Sequence, residues 1–195
     1  MGVLQGGVKP GCTVAIIGAG PVGLAALCTA QLYSPSTIVM IDKDESRLKV
    51  AKTMGATHTV NPDSAKTSLH ERTKEHHGEI DGFDVVIEAV GLPATLEACQ
   101  DLVGKGGAIA NVGVHGAKCD LHMEKLWIRG ISESSVAMEL MIRKVNADIT
   151  NCAEITMAIV NTDTLPMLLK LFQAGKLNTQ PMITHGQNLQ ILFRL

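Results

Sequence analysis

The stretch "VAIIGAGPVGLAAL", residues 14–27, sets an apolar β-branched run against a run of small and aliphatic residues, with three glycines and a proline between them. Residues 13–17 read as a buried strand and residues 22–33 as a helix, so the glycines fall in the turn that joins the two. Gly18-Ala19-Gly20-Pro21-Val22-Gly23 has the spacing G-x-G-x-x-G. That spacing is informative only if a strand leads in, a helix leads out, and an acid ends the next strand. All three conditions hold. "TIVMI" at 37–41 is a second strand, and Asp42 follows it 19 residues after Gly23. Gly18 permits a tight turn, Gly20 lets the backbone approach a pyrophosphate, and Gly23 lets helix and strand pack closely. Unbonded amides and the dipole at the helix start attract phosphate. A carboxylate at Asp42 accepts hydrogen bonds from the adenosine ribose hydroxyls and repels a 2′-phosphate, which favours NAD over NADP. Lys43 and Arg47 beside it pull the other way, because cations help to hold a 2′-phosphate. A glycine turn with no ligand is the competing reading, and the complete context weighs against it.

Outward from this stretch, two periodicities alternate. "DESRLKVAKTMGA" is a helix closed by Gly55, residues 58–60 a short strand, and residues 64–77 a polar helix. Residues 83–90 ("FDVVIEAV") form a third strong strand, residues 93–103 a helix, and residues 107–114 ("GAIANVGV") another strand. A further segment runs over 123–129, then a helix over 136–145, a strand over 155–160 and a helix over 165–174. Strands alternating with helices indicate βαβ units, and so an α/β, doubly wound, mostly parallel sheet: a Rossmann dinucleotide-binding fold in a single domain, 1–195.

Composition excludes several classes. Hydrophobic residues at 46% and charged residues at 18% belong to a folded chain. A net charge of -2 offers no basic face for nucleic acid or an anionic membrane, and 3% aromatics leave few stacking platforms for bases. From Cys12 to Ile41 no residue is charged, yet Gly18, Gly20 and Pro21 interrupt the run, so it reads as strand, turn and helix rather than a membrane span. No signal peptide is expected. Five scattered cysteines without a C-x-x-C pair suggest neither a disulfide framework nor a zinc knuckle, and a cytoplasmic setting is expected.

"GGVKPGCTVAIIGAGPVGLAAL", "MIDKDESRLKVAKTMGATHTVN", "GFDVVIEAVG" and "GGAIANVGVHG" resemble the coenzyme-binding domain of the medium-chain zinc-dependent alcohol dehydrogenase family. "DLHMEKLWIRG", "IVNTDTLPMLLKLFQAGKL" and "PMITH" extend the resemblance. It implies an NAD-dependent oxidoreductase. Gly18, Gly20, Pro21, Val22 and Gly23 would line the pyrophosphate, Asp42 would take the adenosine ribose, and Lys43 and Arg47 would flank it. Ala89, Val90 and Gly91 would lie along the cofactor, with Val112 and Val114 approaching the nicotinamide. A plain buried strand is the competing reading for those two valines.

The departures from the family are as informative. The chain opens where the family's coenzyme domain opens, so the catalytic zinc domain and its ligands are expected to be absent, with zinc belonging to full-length members. Residues 131–154 read as an insertion and 186–195 as a divergent tail. The family's next strand seats the nicotinamide carboxamide and forms the sheet edge that pairs two copies. Either "ISESSV" or "ITMAIV" could fill it, and residues 155–160 are favoured by their apolar, β-branched character.

No catalytic or metal-binding residue is assigned. Cys119 and His122 have metal-like spacing, but two ligands on one strand would point to opposite faces. His76 and His77 belong to a charged, solvated face, and His185 ends a strand. His115 lies where ligands bind in open α/β sheets and is the histidine best placed to touch the cofactor. Tyr33 has Thr37 four places on, which excludes the Tyr-x-x-x-Lys of short-chain dehydrogenases, and no Gly-Lys-Ser/Thr follows the glycines. A methyltransferase remains as a competing reading, against the third glycine. The expectation is an NAD(H)-binding domain that does not itself turn over alcohol. The alternative is the coenzyme half of an active zinc alcohol dehydrogenase completed by a separate catalytic domain. A homodimer through a sheet edge is also expected.

Overall fold

The apolar run after Cys12 is strand β1 (Thr13–Ile17), buried along its whole length. Among the described residues six more strands follow: β2 (Thr37–Ile41), β3 (His58–Val60), β4 (Phe83–Glu88), β5 (Val103–Asn111), β6 (Ile131–Ser135) and β7 (Ala153–Met157). They form one sheet in the order β3-β2-β1-β4-β5-β7-β6, with every pairing parallel. The computed structural model describes residues 2–64, 67–76, 82–128, 131–135, 153–157 and 164–183. The expected segments at 136–145 and 186–195, with His77 and His185, lie outside the described residues.

Among the described residues, seven helices accompany the sheet: α1 (Gly2–Gln5), α2 (Pro21–Gln31), α3 (Glu45–Thr53), α4 (Leu69–Thr73), α5 (Pro93–Leu102), α6 (Met123–Ile128) and α7 (Leu165–Gln173). Alternation along the strands sorts the core into two layers. Val14 and Ile16 of β1, Ile38 and Met40 of β2, and Val85 and Ile87 of β4 pack with Leu24 and Leu27 of α2 and Leu48 of α3. Ala15 and Ile17, Val39 and Ile41, and Val86 face the other way, onto Leu96, Cys99 and Leu102 of α5 and Leu126 of α6. Both sheet faces are covered, which is why the strands read as continuous apolar runs rather than alternating ones. The uncharged run from residue 12 to 41 is therefore β1, α2 and β2, and among the described residues no helix is long and apolar enough to cross a membrane.

Three expectations change. The polar helix expected over 64–77 is two short 3-10 turns, Pro62–Ser64 and Lys74–His76, around the five-residue α4. With so few apolar residues, that segment has no stripe to hold a longer helix against the sheet. Nor is His76 on a solvated face. Its ring stacks on His58 of β3, with centroids 3.8 Å apart, and its side chain is only 13% exposed. The strand expected over 107–114 begins earlier and ends earlier, at Val103–Asn111, so Val112 and Val114 follow the strand instead of lying in it. A bulge between Phe83 and Val85 shifts the register against β5 and absorbs the glycines at its start.

The described parts of "ISESSV" and "ITMAIV" take two positions, and residues 158–160 of the strand expected over 155–160 lie outside the described residues. Ala153–Met157 lies beside β5, and Ile131–Ser135 forms the outer edge. The more apolar, β-branched segment takes the place bonded on both sides, and the serine-rich one takes the edge, where polar residues discourage uncontrolled pairing.

Two consequences can be measured. Ile16, fully buried in the layer beneath α2, should cost about 2–5 kcal/mol when changed to alanine, read from urea denaturation. Burial first, and His58 second, lower the pKa of His76 against the pull of Glu75. The fold thus favours the neutral ring, and the unfolded chain gains its proton at higher pH. The stability contributed by the neutral His76 ring is present above the ordinary histidine range and is lost as pH falls through that range toward the lowered value of the folded state. Melting temperatures should fall on acidification through that range, and His76→Gln should flatten the fall.

Candidate functional site

The strand order turns around between β1 and β4, since chain succession runs one way through β2 and β3 and the other way through β5. Ligands of open α/β sheets sit at such a point, outside the carboxyl ends of the strands. A cleft of about 510 Å³ lies there, lined by Ile17, Gly18 and Gly20 after β1, by Ile41, Asp42, Lys43, Asp44 and Arg47 after β2, by Pro62, and by Ala89, Val90, Leu92 and Thr95 after β4.

The three glycines of the turn do different work. Gly18 has φ +101°, and a Cβ there would lie 2.7 Å from Val90 Cγ2. A Cβ on Gly23 would fall 1.7 Å from the Gly18 carbonyl oxygen. Both positions are closed to a side chain by the protein itself. Gly20 is not: its φ of -74° and ψ of -176° suit any residue, and nothing lies within 4 Å of an added Cβ. The fold places no demand for glycine at position 20, and the space that its missing side chain leaves belongs to the cleft. Gly20 also caps α2, with Pro21 in the first turn. Proline lacks the N–H that would be orphaned there, while the amides of Val22 and Gly23 have no intrahelical acceptor.

Asp42 holds this turn in place. Its Oδ2 accepts from the Ala19 amide at 2.6 Å, and its Oδ1 accepts from the Asp44 amide at 2.8 Å. A carboxylate has about four acceptor sites, so two of them remain. Arg47 Nη1 stands 3.9 Å from Asp42, and Lys43 pairs with Asp63 at 3.2 Å, both cations on exposed side chains. Asp44 caps α3 through the Ser46 and Arg47 amides, and the Ser46 hydroxyl and amide hold its pKa below the usual carboxylate range.

Of the expected site residues, Gly18, Gly20, Asp42, Lys43, Arg47, Ala89 and Val90 therefore meet around one cleft. Pro21, Val22 and Gly23 form the first turn of α2 beside it, with Val22 half exposed. Gly91 packs under the next loop, where a Cβ would meet the Val114 carbonyl at 2.4 Å. Val112 packs partly into the core, and Val114 is 90% exposed. His115 turns away from the cleft, toward Glu88 and Asn111.

Glu88 escaped the sequence reading. Although fully buried at the end of β4, its carboxylate accepts from the Val90 amide at 3.0 Å, the Gly91 amide at 2.9 Å and the Thr95 hydroxyl at 2.6 Å. It thereby shapes the β4–α5 loop that walls the cleft. The signal was a lone acid inside "FDVVIEAV", since a charge in a buried strand must be paired. Leu92, Thr95 and Pro62 also line the cleft and carried no pattern in the sequence. Cys119 and His122 do not converge: Cys119 Sγ faces His115, and His122 lies between Glu97 and Glu124. Among the described residues, no three His, Cys, Asp or Glu side chains come together to hold a metal.

The glycine geometry makes a differential stability prediction. Gly23→Ala should lower the melting temperature strongly, because the Gly18 carbonyl must move. Gly20→Ala should cost less than about 1 kcal/mol, the scale of a weakened helix cap. Thermal unfolding of the two variants side by side is the check.

A family model described as zinc-binding dehydrogenase matches residues 21–153. Sorbitol dehydrogenase of Bacillus subtilis is 38% identical over 113 residues, 55% of this chain and 30% of that one. L-threonine 3-dehydrogenase of Shewanella loihica is 31% identical over 175 residues, 90% of this chain and 44% of that one. Among solved structures, zinc dependent alcohol dehydrogenase 2 from Streptococcus pneumonia superimposes with a TM-score of 0.77 at 42% identity, covering 94% of this chain and 46% of its own. The chain thus spans less than half the length of each of these relatives. With its glycine turn, acid-ended second strand and parallel sheet, this chain belongs to the zinc-binding dehydrogenase family, of which it covers the NAD(P)-binding portion.

Proposed function

We propose that this chain binds NAD(H) in the cleft outside β1 and β4, and that it is the coenzyme-binding part of an alcohol dehydrogenase-like oxidoreductase, without itself turning over alcohol. The observation that carries the proposal is Gly20, a glycine with ordinary dihedrals and open space where its side chain would stand. A diphosphate seated on that bare backbone explains a residue that the fold leaves free. In this reading the amides of Gly20, Val22 and Gly23 face the diphosphate, and Gly18 and Pro21 shape the turn that presents them. The two free acceptor sites of Asp42 take the ribose hydroxyls, with Lys43 and Arg47 on either side. Ala89, Val90 and Gly91 run along the coenzyme, and Val112 and Val114 approach the nicotinamide. When bound, the nicotinamide supplies the hydride acceptor or donor. The residues of this chain contribute binding, orientation and the exclusion of NADP.

A second reading is supported by the greater length of the relatives, of which this chain matches 30% to 44%. In that reading the chain is the coenzyme half of an active NAD-dependent zinc enzyme, and a separate catalytic domain completes it. Zinc would then belong to that domain. A homodimer through the outer strand β6 is compatible with either reading, and the mass of the intact assembly tests it.

Titration calorimetry with NADH and NADPH tests the central proposal, and NADH should bind more tightly. Gly20→Val should lower NADH affinity at least about tenfold with little change in melting temperature. Normal affinity in that variant removes the diphosphate from this turn. Asp42→Gly should weaken both coenzymes, because the Ala19 amide loses its acceptor, but NADH more than NADPH. An unchanged ratio removes Asp42 from coenzyme choice. Alcohol oxidation with stoichiometric zinc in the purified chain would replace the first reading with the second.

A further inference from the structure

Past the end of β5, on the side of Glu88 away from the dinucleotide turn, a thiol, an imidazole and two oxygen acceptors stand in line. Cys119 Sγ lies 3.1 Å from His115 Nδ1. The other ring nitrogen, Nε2, lies 3.0 Å from Asn111 Oδ1 and 3.6 Å from Glu88 Oε2. Both of those partners are acceptors, and the Glu88 carboxylate already takes the Val90 and Gly91 amides and the Thr95 hydroxyl. They select the tautomer with its proton on Nε2, which leaves the lone pair of Nδ1 aimed at the sulfur. The ring is held firmly: its side chain is 13% exposed, and Glu88 beneath it is 0% exposed. Cys119 is only half-buried, so a small reagent can reach it.

A nucleophile, a base within hydrogen-bond reach, and groups that orient the base are the parts of an activated thiol. We propose that Cys119 is a modification site, a thiol whose proton His115 accepts as its sulfur attacks a low-molecular-weight disulfide. The S–H proton passes to His115 Nδ1 as a bond forms between Cys119 Sγ and one sulfur of the reagent. The reagent's S–S bond breaks, and its second sulfur leaves with the electron pair and takes the proton back from Nδ1. The Cys119 sulfur is oxidised and the departing sulfur reduced, so no further oxidant is needed. The other described thiols are set apart from this chemistry. Burial raises the pKa of Cys12 and Cys28, and raises that of Cys99 well above its ordinary value.

The test uses the full chain with an uncharged reagent, 2-hydroxyethyl disulfide, at neutral pH, with adduct formation at each cysteine followed by peptide mass spectrometry. N-acetylcysteine in the same tube supplies the rate of an ordinary thiol. Cys119 should react about tenfold or more faster than N-acetylcysteine, and His115→Gln should bring it down to or below that reference. A wild-type rate at or below the reference overturns the proposal, whether or not the variant folds. An unchanged rate in a folded His115→Gln chain overturns it as well, and leaves the sulfur–imidazole contact a packing feature. Cys119→Ser fixes the site assignment, because the fast adduct must disappear with it.

Discussion

The approach of α2 to β1 governs this structure. A side chain on Gly23 would stand 1.7 Å from the Gly18 carbonyl oxygen, so the turn and the helix touch backbone to backbone. That contact sets where α2 begins and aims its open amides across the carboxyl end of the sheet. The Asp42 carboxylate then reaches from the end of β2 to the Ala19 amide and closes the turn from the other side. One short-range backbone contact and one charged hydrogen bond thus align two strand ends and a helix start, and the cleft is the space left between them.

On the opposite wall, Glu88 does for the β4–α5 loop what Asp42 does for the glycine turn. A carboxylate with no exposure would cost several kcal/mol if unpaired. Here two amides and a hydroxyl satisfy it from the loop side, and His115 approaches from the β5 side. The acid therefore ties together the segments that follow two neighbouring strands. Both walls of the cleft are built by acids at strand ends that bond backbone, a geometry that holds irregular loops without large side chains of their own.

Much of this was readable from residue order. Strands β1, β2, β3 and β4, with α2, α3 and α5, follow from runs of apolar residues and their period; the cleft residues Gly18, Gly20, Asp42, Lys43 and Arg47 follow from the motif and its surroundings, and Ala89 and Val90 from the family resemblance. The misreadings have local causes. Residues 64–77 are rich in good helix formers, but propensity alone does not sustain a helix without an apolar face to bury. The expected strand began at Gly107, whereas β5 begins at Val103 and takes in Gly104 and Gly106, with its extra residues opposite the Phe83–Val85 step of β4. His76 looked solvated because a charged neighbourhood does not reveal a ring partner 18 residues earlier in the chain.

The amino-acid order by itself determined the α/β alternation, the position of the turn and the type of residue at each of its corners, because those depend on contacts between near neighbours and on the two backbone periods. Tertiary structure decided which glycine serves the fold and which is free for a ligand, since that depends on atoms from β4 and from the turn itself in space. It also decided that the polar strand lies outside the apolar one. It decided that Glu88, Asn111, His115 and Cys119 meet. Each of these is a relation between segments that only the packed sheet brings within a few ångströms, where desolvation makes an unpartnered polar group costly.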